Sequence, residues 1–465
     1  MQKLKVALLT IAESRENFYR QRKAIVTEEC GIFERVFSKR FAIIQSAPIK
    51  TLQQALEWTD RSNAENVDAI IIFVPVWASP NLAAKIAESA IAPILVLGNL
   101  RPESSSLGCM LAVTGAMEQI RHPVHRVIGD MNDKAIQWKV LDFVFAAHAK
   151  NQIRRSNYCI FGGRSLGIVS TQADFSEWGH DFGVECDHKD QYEIVNRAGL
   201  MDKKRTIKYL DWLESNIGKI TYSGKFTKES LLRQINCYLA VKDIIGENGY
   251  DFISIKCQTE LSDGYALMCL AISLLNDIYD AEGWKEAVPC SCEGDNDGAL
   301  TMYMLSLLSD GMPASLMDVR LLKPEEKELI IANCGGAPTY FAGQSKDAVN
   351  NLKNVYLMEH IFGEAGGAAV QYVCAEGDVT LARLFKKDGK YCMGMMEGKF
   401  LQKDREELRK TTFCYPHGFV TGTINFQSFL QTFGANHIHA VLGLYKNRLK
   451  ILCKLLGVSW IDYNN

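Results

Sequence analysis

Three unbroken apolar runs near the N-terminus constrain the fold more than any other feature of the chain. They are Val6-Ala7-Leu8-Leu9, Ala69-Ile70-Ile71-Ile72-Phe73-Val74 and Pro93-Ile94-Leu95-Val96-Leu97. A strand that is apolar at every position is covered on both faces, which implies a parallel sheet sandwiched between helices. Phe41-Ala42-Ile43-Ile44 reads as a further strand, and helices are expected from about Thr51 and Leu107. Residues 1–150 therefore read as one α/β domain. In open sheets of this kind, ligand groups gather beyond the C-terminal ends of the strands. That rule brings forward two side chains here, Arg15 after the first strand and Trp77 after the third. Arg15 suits hydroxyls or an anionic group and is equally consistent with a solvated helix start. Trp77 offers an aromatic face for a ligand, against a plain core tryptophan.

The pattern resumes near Asn157. Tyr158-Cys159-Ile160-Phe161 reads as a strand and runs into the Gly-rich turn Gly162-Gly163-Arg164-Ser165-Leu166-Gly167. The turn does not match GxGxxG, so it is expected as a tight turn rather than a nucleotide loop. Long helical patterns follow over 205–217 and 228–247. The strand Asp251-Phe252-Ile253-Ser254-Ile255-Lys256 then leads into Cys257-Gln258-Thr259-Glu260. After residue 290 the character changes to short alternating runs punctuated by glycine, such as Val379 to Phe385, which indicates antiparallel structure. The expected fold class is α/β: two flavodoxin- or Rossmann-like parallel-sheet domains, 1–150 and 151–290, and a C-terminal α+β domain, 291–465, containing an antiparallel β-barrel.

Composition narrows the function. Hydrophobic residues make up 47% of the 465 and charged residues 23%, enough for large cores. A net charge of -2 gives no basic excess for a nucleic-acid or anionic membrane surface. No apolar run reaches the length of a membrane span, and the N-terminus lacks the features of a signal peptide. The 14 cysteines are scattered, several of them inside apolar runs, so a reduced, cytoplasmic protein is expected.

The chemistry-bearing stretch is Ser-Cys-Glu-Gly-Asp-Asn-Asp-Gly at 291–298, followed by an apolar helix. Its carboxylates, Glu293, Asp295 and Asp297, sit where a helix N-terminus favours negative charge. An acidic capping loop accounts for the stretch equally well. Glu260 at a strand end and His437 in the turn Gly434-Ala435-Asn436-His437 would complete a set of two carboxylates and an imidazole. Such a set suits a Mn²⁺- or Mg²⁺-like ion better than a thiolate zinc site. Spacing alone does not join them.

The segments Gly163-Arg164-Ser165-Leu166-Gly167, Gln258-Thr259-Glu260, Glu293-Gly294-Asp295 with Gly298-Ala299, Asp318-Val319-Arg320, Asn333-Cys334-Gly335-Gly336-Ala337 and Gly434-Ala435-Asn436-His437 occur in the order found in the L-fucose isomerase and L-arabinose isomerase superfamily. The chain resembles the fucose isomerase side of it. The resemblance implies Glu260, Asp295 and His437 as ligands of one divalent ion, usually Mn²⁺, with Mg²⁺ or Co²⁺ as substitutes. It also implies a homo-oligomer, trimer or hexamer, whose site takes Arg15 and Trp77 from a neighbouring subunit.

The activity implied is aldose–ketose isomerisation through a cis-enediol. That reaction needs a carboxylate to move a proton between C1 and C2 and a Lewis acid to hold the developing charge. Glu260 and Asp295 are then the acid/base pair, with the base at carbon unassigned. Gln258 and Asn436 are sugar contacts, Asn436 being equally a turn residue. Glu293 supports Asp295, and Asp297 is a neighbour with its role unassigned. An L-fucose- or arabinose-type sugar is the expected substrate. An anionic hexose such as sulfoquinovose is the alternative, with Arg15 or Arg164 at its C6 end. A non-catalytic sugar-binding protein and a metal-dependent aldolase are the competing classes.

Overall fold

The computed structural model describes residues 3–465 and divides into two compact units, 1–152 and 153–465. The first unit is a five-stranded sheet of β1 (Leu4–Thr10), β2 (Phe41–Gln45), β3 (Ala69–Val74), β4 (Ile94–Gly98) and β5 (His125–Ile128). The order is β2-β1-β3-β4-β5 with every pair parallel, the arrangement of flavodoxin-type doubly wound sheets. The strands alternate with helices α1 (Glu16–Phe37), α2 (Leu52–Ala64), α3 (Pro80–Ser89), α4 (Ser106–Gln119) and α5 (Lys134–Ile153). The apolar runs behave as expected, all six residues of β3 being fully buried. The helix expected from Thr51 starts there because Thr51 and Gln54 form a reciprocal capping box.

The second unit holds the segments expected as two domains, 151–290 and 291–465. Its parallel sheet contains β6 (Asn157–Phe161), β7 (Glu185–Lys189), β8 (Phe252–Ile255) and the two-residue β9 (Cys290–Ser291), in the order β9-β8-β6-β7. Directly after β9 comes helix α6 (Asn296–Leu308). It is apolar nearly all round, and every residue but Leu307 is buried. A helix apolar on all sides is a core element, so α6 is a rigid mount.

The other large sheet is mixed. It contains β10 (Ala314–Lys323), β11 (Glu328–Ala332), β12 (Gly377–Lys387), β13 (Lys390–Phe400), β14 (His417–Thr421), β15 (His437–Leu442) and β16 (Ser459–Asp462). The order is β12-β15-β10-β11-β14-β13-β16, and β12 pairs in addition with β13. All pairs are antiparallel except β13 with β16. Three short strands, Lys219–Thr221, Tyr356–Glu359 and Ala368–Gln371, make a further small sheet. Among the described residues no helix is long and apolar enough to cross a membrane, and all 14 cysteines are free.

Candidate active site

Asp295 is the N-cap of α6, and its Oδ1 accepts the Gly298 amide at 2.9 Å. Its Oδ2 accepts from Arg383 Nη1 at 2.5 Å and pairs with His437 Nδ1 at 2.8 Å. Arg383 comes from β12 and His437 from β15, so three elements meet at one carboxylate. Asp295 and Arg383 are both fully buried. Burial alone would raise the Asp295 carboxyl, but Arg383 and then His437 outweigh it and hold it well below the usual carboxylate range. Arg383 is anchored further by donating from Nη2 to the Ser170 carbonyl at 2.7 Å.

The other nitrogen of His437 faces elsewhere. Nε2 lies 3.3 Å from Glu293 Oε2 and 3.6 Å from Asp318 Oδ1. It is buried and has no hydrogen-bond partner. Asp318 faces His437 because the two are directly opposite in the β10–β15 register, where side chains share one sheet face. Glu293 reaches the site from a tight corner: Glu293 and Gly294 have consecutive positive φ values of 60° and 59°. A β-carbon on Gly294 would lie 2.5 Å from the Gly163 carbonyl oxygen, so the corner admits only glycine there.

Burial would lower the His437 imidazole, yet Asp295, Glu293 and Asp318 together raise it to about 10. Burial pushes Asp318 up to about 7, with His437 opposing and Glu293 adding to the rise. His439, two residues along the same face of β15, is driven well below its ordinary value by burial and Arg383 and is therefore neutral. Its Nε2 lies 3.8 Å from Asp295 Oδ2.

Gly298 leaves the room these groups occupy. A β-carbon there would stand 2.5 Å from Asp295 Oδ2 and 2.6 Å from His439 Nε2. Asp295 is pinned by its hydrogen bonds and His439 is fully buried, so Gly298→Ala is an overpacking substitution. It is expected to destabilise the chain by about 1–3 kcal/mol, measured by urea unfolding.

Asp297 points away from this cluster. Tyr391 donates to it at 3.3 Å and itself accepts from Trp178 Nε1 at 2.9 Å. Burial raises Asp297 to about 7, with Arg383 opposing and Asp295 adding. Since the native state binds this proton more tightly than the unfolded chain, its contribution to stability is full below about pH 4 and is lost as pH rises towards 7. Asp297→Asn should therefore match the parent in stability near pH 4 and exceed it by on the order of a few kcal/mol at pH 8. Denaturant titrations at the two pH values check this.

Of the expected ligands Glu260, Asp295 and His437, the structure brings the last two together, through Nδ1 of the ring. Glu260 opens a short helix after β8, half exposed. It accepts from Lys256 Nζ at 2.5 Å and from the Thr259 amide at 3.0 Å. Among the described residues no hydrogen bond or ion pair joins it to Asp295 or His437. The Gln258 carbonyl accepts from Ser165 Oγ at 3.0 Å. Asn436 is exposed, and its carbonyl accepts the Val319 amide at 2.9 Å. In the first unit, Arg15 is the N-cap residue of α1, paired with Glu13 at 2.8 Å and lying over the Phe18 ring. Trp77 is 40% exposed.

Sequence reasoning missed Arg383 and His439 and gave Glu293 and Asp318 no direct part. The available signals were the period-2 spacing of His437 and His439 and the lone charge inside the apolar run Leu381-Ala382-Arg383-Leu384-Phe385.

Among the described residues no group of three or more His, Cys, Asp or Glu side chains is gathered into a ready-made metal cage. The donor chemistry on the Nε2 side of His437 nevertheless suits a hard divalent cation: two carboxylates converge on a buried imidazole nitrogen that has no other partner.

The first N-terminal domain model of L-fucose isomerase matches residues 38–155, and its C-terminal domain model matches residues 331–464. The chain is similar to sulfoquinovose isomerase from Alkalicoccus urumqiensis, 21% identical over 66% of this chain and 67% of that protein. It is 19% identical to sulfoquinovose isomerase from Priestia aryabhattai over 77% of each chain. L-fucose isomerase from Salmonella typhi is 22% identical over 79% of this chain and 65% of that protein. With matches in the same order at both ends of the chain, it belongs to the L-fucose isomerase family.

Proposed function

We propose that this chain is an aldose–ketose isomerase acting on an open-chain sugar, with a divalent cation, Mn²⁺ in the first instance, held by Glu293, Asp318 and His437. One observation carries the reading: the buried, unpartnered Nε2 of His437 between two carboxylates. Asp295, expected from the sequence as a ligand and base, has its oxygens committed to Gly298, Arg383 and His437 and stands behind the imidazole. Glu260 is committed to Lys256.

When bound there, a divalent ion supplies Lewis-acid polarisation of the sugar carbonyl and its neighbouring hydroxyl. The residues do the rest. Asp318, directly opposite His437 in the strand register, is the carboxylate placed to take and return a proton, as transfer between C2 and C1 requires. Glu293 is the second carboxylate, available for the hydroxyl proton. His437 stays fixed in place by Asp295.

The names of the relatives point to two 6-deoxyhexoses of different configuration, with a methyl group at C6 in L-fucose and a methylene sulfonate in sulfoquinovose. We take a 6-deoxyhexose, plain or sulfonated, as the substrate class. The test is deuterium incorporation at C2 in D₂O, followed by NMR, with Mn²⁺ and a panel of L-fucose, sulfoquinovose, L-arabinose and D-arabinose. Exchange with one panel member is expected. Heat stabilisation by a sugar without exchange would instead mark a sugar-binding protein, and release of a short carbonyl fragment an aldolase. The active unit is proposed to be a homo-oligomer that shares sites between subunits, checked by light scattering.

A further inference from the structure

Asp295 is the most firmly held group beside His437. A helix N-terminus fixes one oxygen through the Gly298 amide, and a fully buried arginine fixes the other. The arginine is tied in turn to the Ser170 carbonyl. We propose that the Arg383–Asp295 ion pair is a positioning device for His437: it holds the ring by Nδ1–H and so aims Nε2 at Glu293 and Asp318. The purpose of this rests on the cation reading above; the orientation itself rests on the contacts.

The physical case has three parts. First, a carboxylate that accepts Nδ1–H fixes the ring's orientation and leaves the opposite nitrogen to donate its lone pair once a cation displaces its proton, which is how histidine ligands are commonly held. Second, Asp295 alone would be an uncompensated buried charge. Arg383 neutralises it within the pair at 2.5 Å, leaving the His437 contact at 2.8 Å to orient the ring. Third, the space around the carboxylate is filled. His439 sits on the same strand face with Nε2 3.8 Å from Asp295 Oδ2, and Gly298 leaves the space that the carboxylate and His439 occupy.

The test uses Asp295→Asn and the charge-balanced Asp295→Asn/Arg383→Met. Asparagine is as good an N-cap as aspartate, so α6 keeps its cap and the change falls on the contacts of Asp295 to His437 and Arg383. The double variant covers the case in which a lone buried Arg383 prevents folding of the single one. Histidine ¹H–¹⁵N NMR of the metal-free chain should show a downfield, slowly exchanging Nδ1–H, assigned through its loss in His437→Gln. It should move upfield and exchange faster in the Asp295 variants.

Mn²⁺ titration followed by electron paramagnetic resonance should show affinity falling by roughly 10–100-fold in the same variants. The proposal requires both changes. An unmoved Nδ1–H signal overturns it, and so does a moved signal with unchanged Mn²⁺ affinity. If the parent chain binds no Mn²⁺, the cation reading fails, and the NMR result alone decides the positioning role.

Discussion

Arg383→Met is expected to destabilise the chain by about 3–5 kcal/mol, the usual cost of removing one partner from a buried ion pair. Arg383 is wholly buried, and the carboxylate it faces is wholly buried too. Removing the guanidinium leaves Asp295 with the Gly298 amide and His437, and it leaves the Ser170 carbonyl without its donor. Methionine fills much of the volume, so the loss is electrostatic rather than a cavity. Urea unfolding measures it. Adding Asp295→Asn should recover most of the loss, because a neutral side chain no longer needs the arginine. A loss under about 1 kcal/mol, the range of exposed pairs, would show that the pair is hydrated.

How much of this was readable in the sequence depended on whether a signal was local. Val6 to Leu9, Ala69 to Val74 and Ile94 to Leu97 are apolar at consecutive positions, and each formed a buried strand of a parallel sheet. His125–Ile128 did not stand out, because four residues that include a histidine and an arginine carry no apolar run. The loop at 291–298 was legible as a carboxylate mount, and α6 behind it is as apolar and buried as its sequence suggested.

The facing of Asp318 and His437 was not legible. It depends on the register of two strands far apart in the chain, and a one-residue slip would turn either side chain to the other face. The same limit hid Arg383. Its partner is set by how β12 and β15 pack against the start of α6, and nothing in Leu-Ala-Arg-Leu-Phe names that partner. Glu260 shows the converse limit. A glutamate at the end of a parallel strand is well placed in general, and here Lys256, four residues earlier, pairs with it locally.

That contrast makes the most informative activity measurement a comparison of two isosteric substitutions. Asp318→Asn should lower kcat for C2 proton exchange by about 10²–10⁴, the contribution of a positioned acid/base group. The amide preserves the shape beside His437 but can neither take a proton from carbon nor return one. Asp318 is also opposite His437 in register, so a small change there acts on the centre directly.

Glu260→Gln should cost far less, about tenfold or under, because Glu260 is half exposed and paired with Lys256. Both variants are measured at saturating sugar and Mn²⁺, with the deuterium content of C2 as the readout. Weaker Mn²⁺ binding in Asp318→Asn would then appear as a raised metal requirement, separable from the fall in kcat. If instead Glu260→Gln loses the exchange while Asp318→Asn retains it, the acid/base role returns to the residue that the sequence alone had favoured. The site at His437 would then be closed on that side by movement of the 256–260 segment.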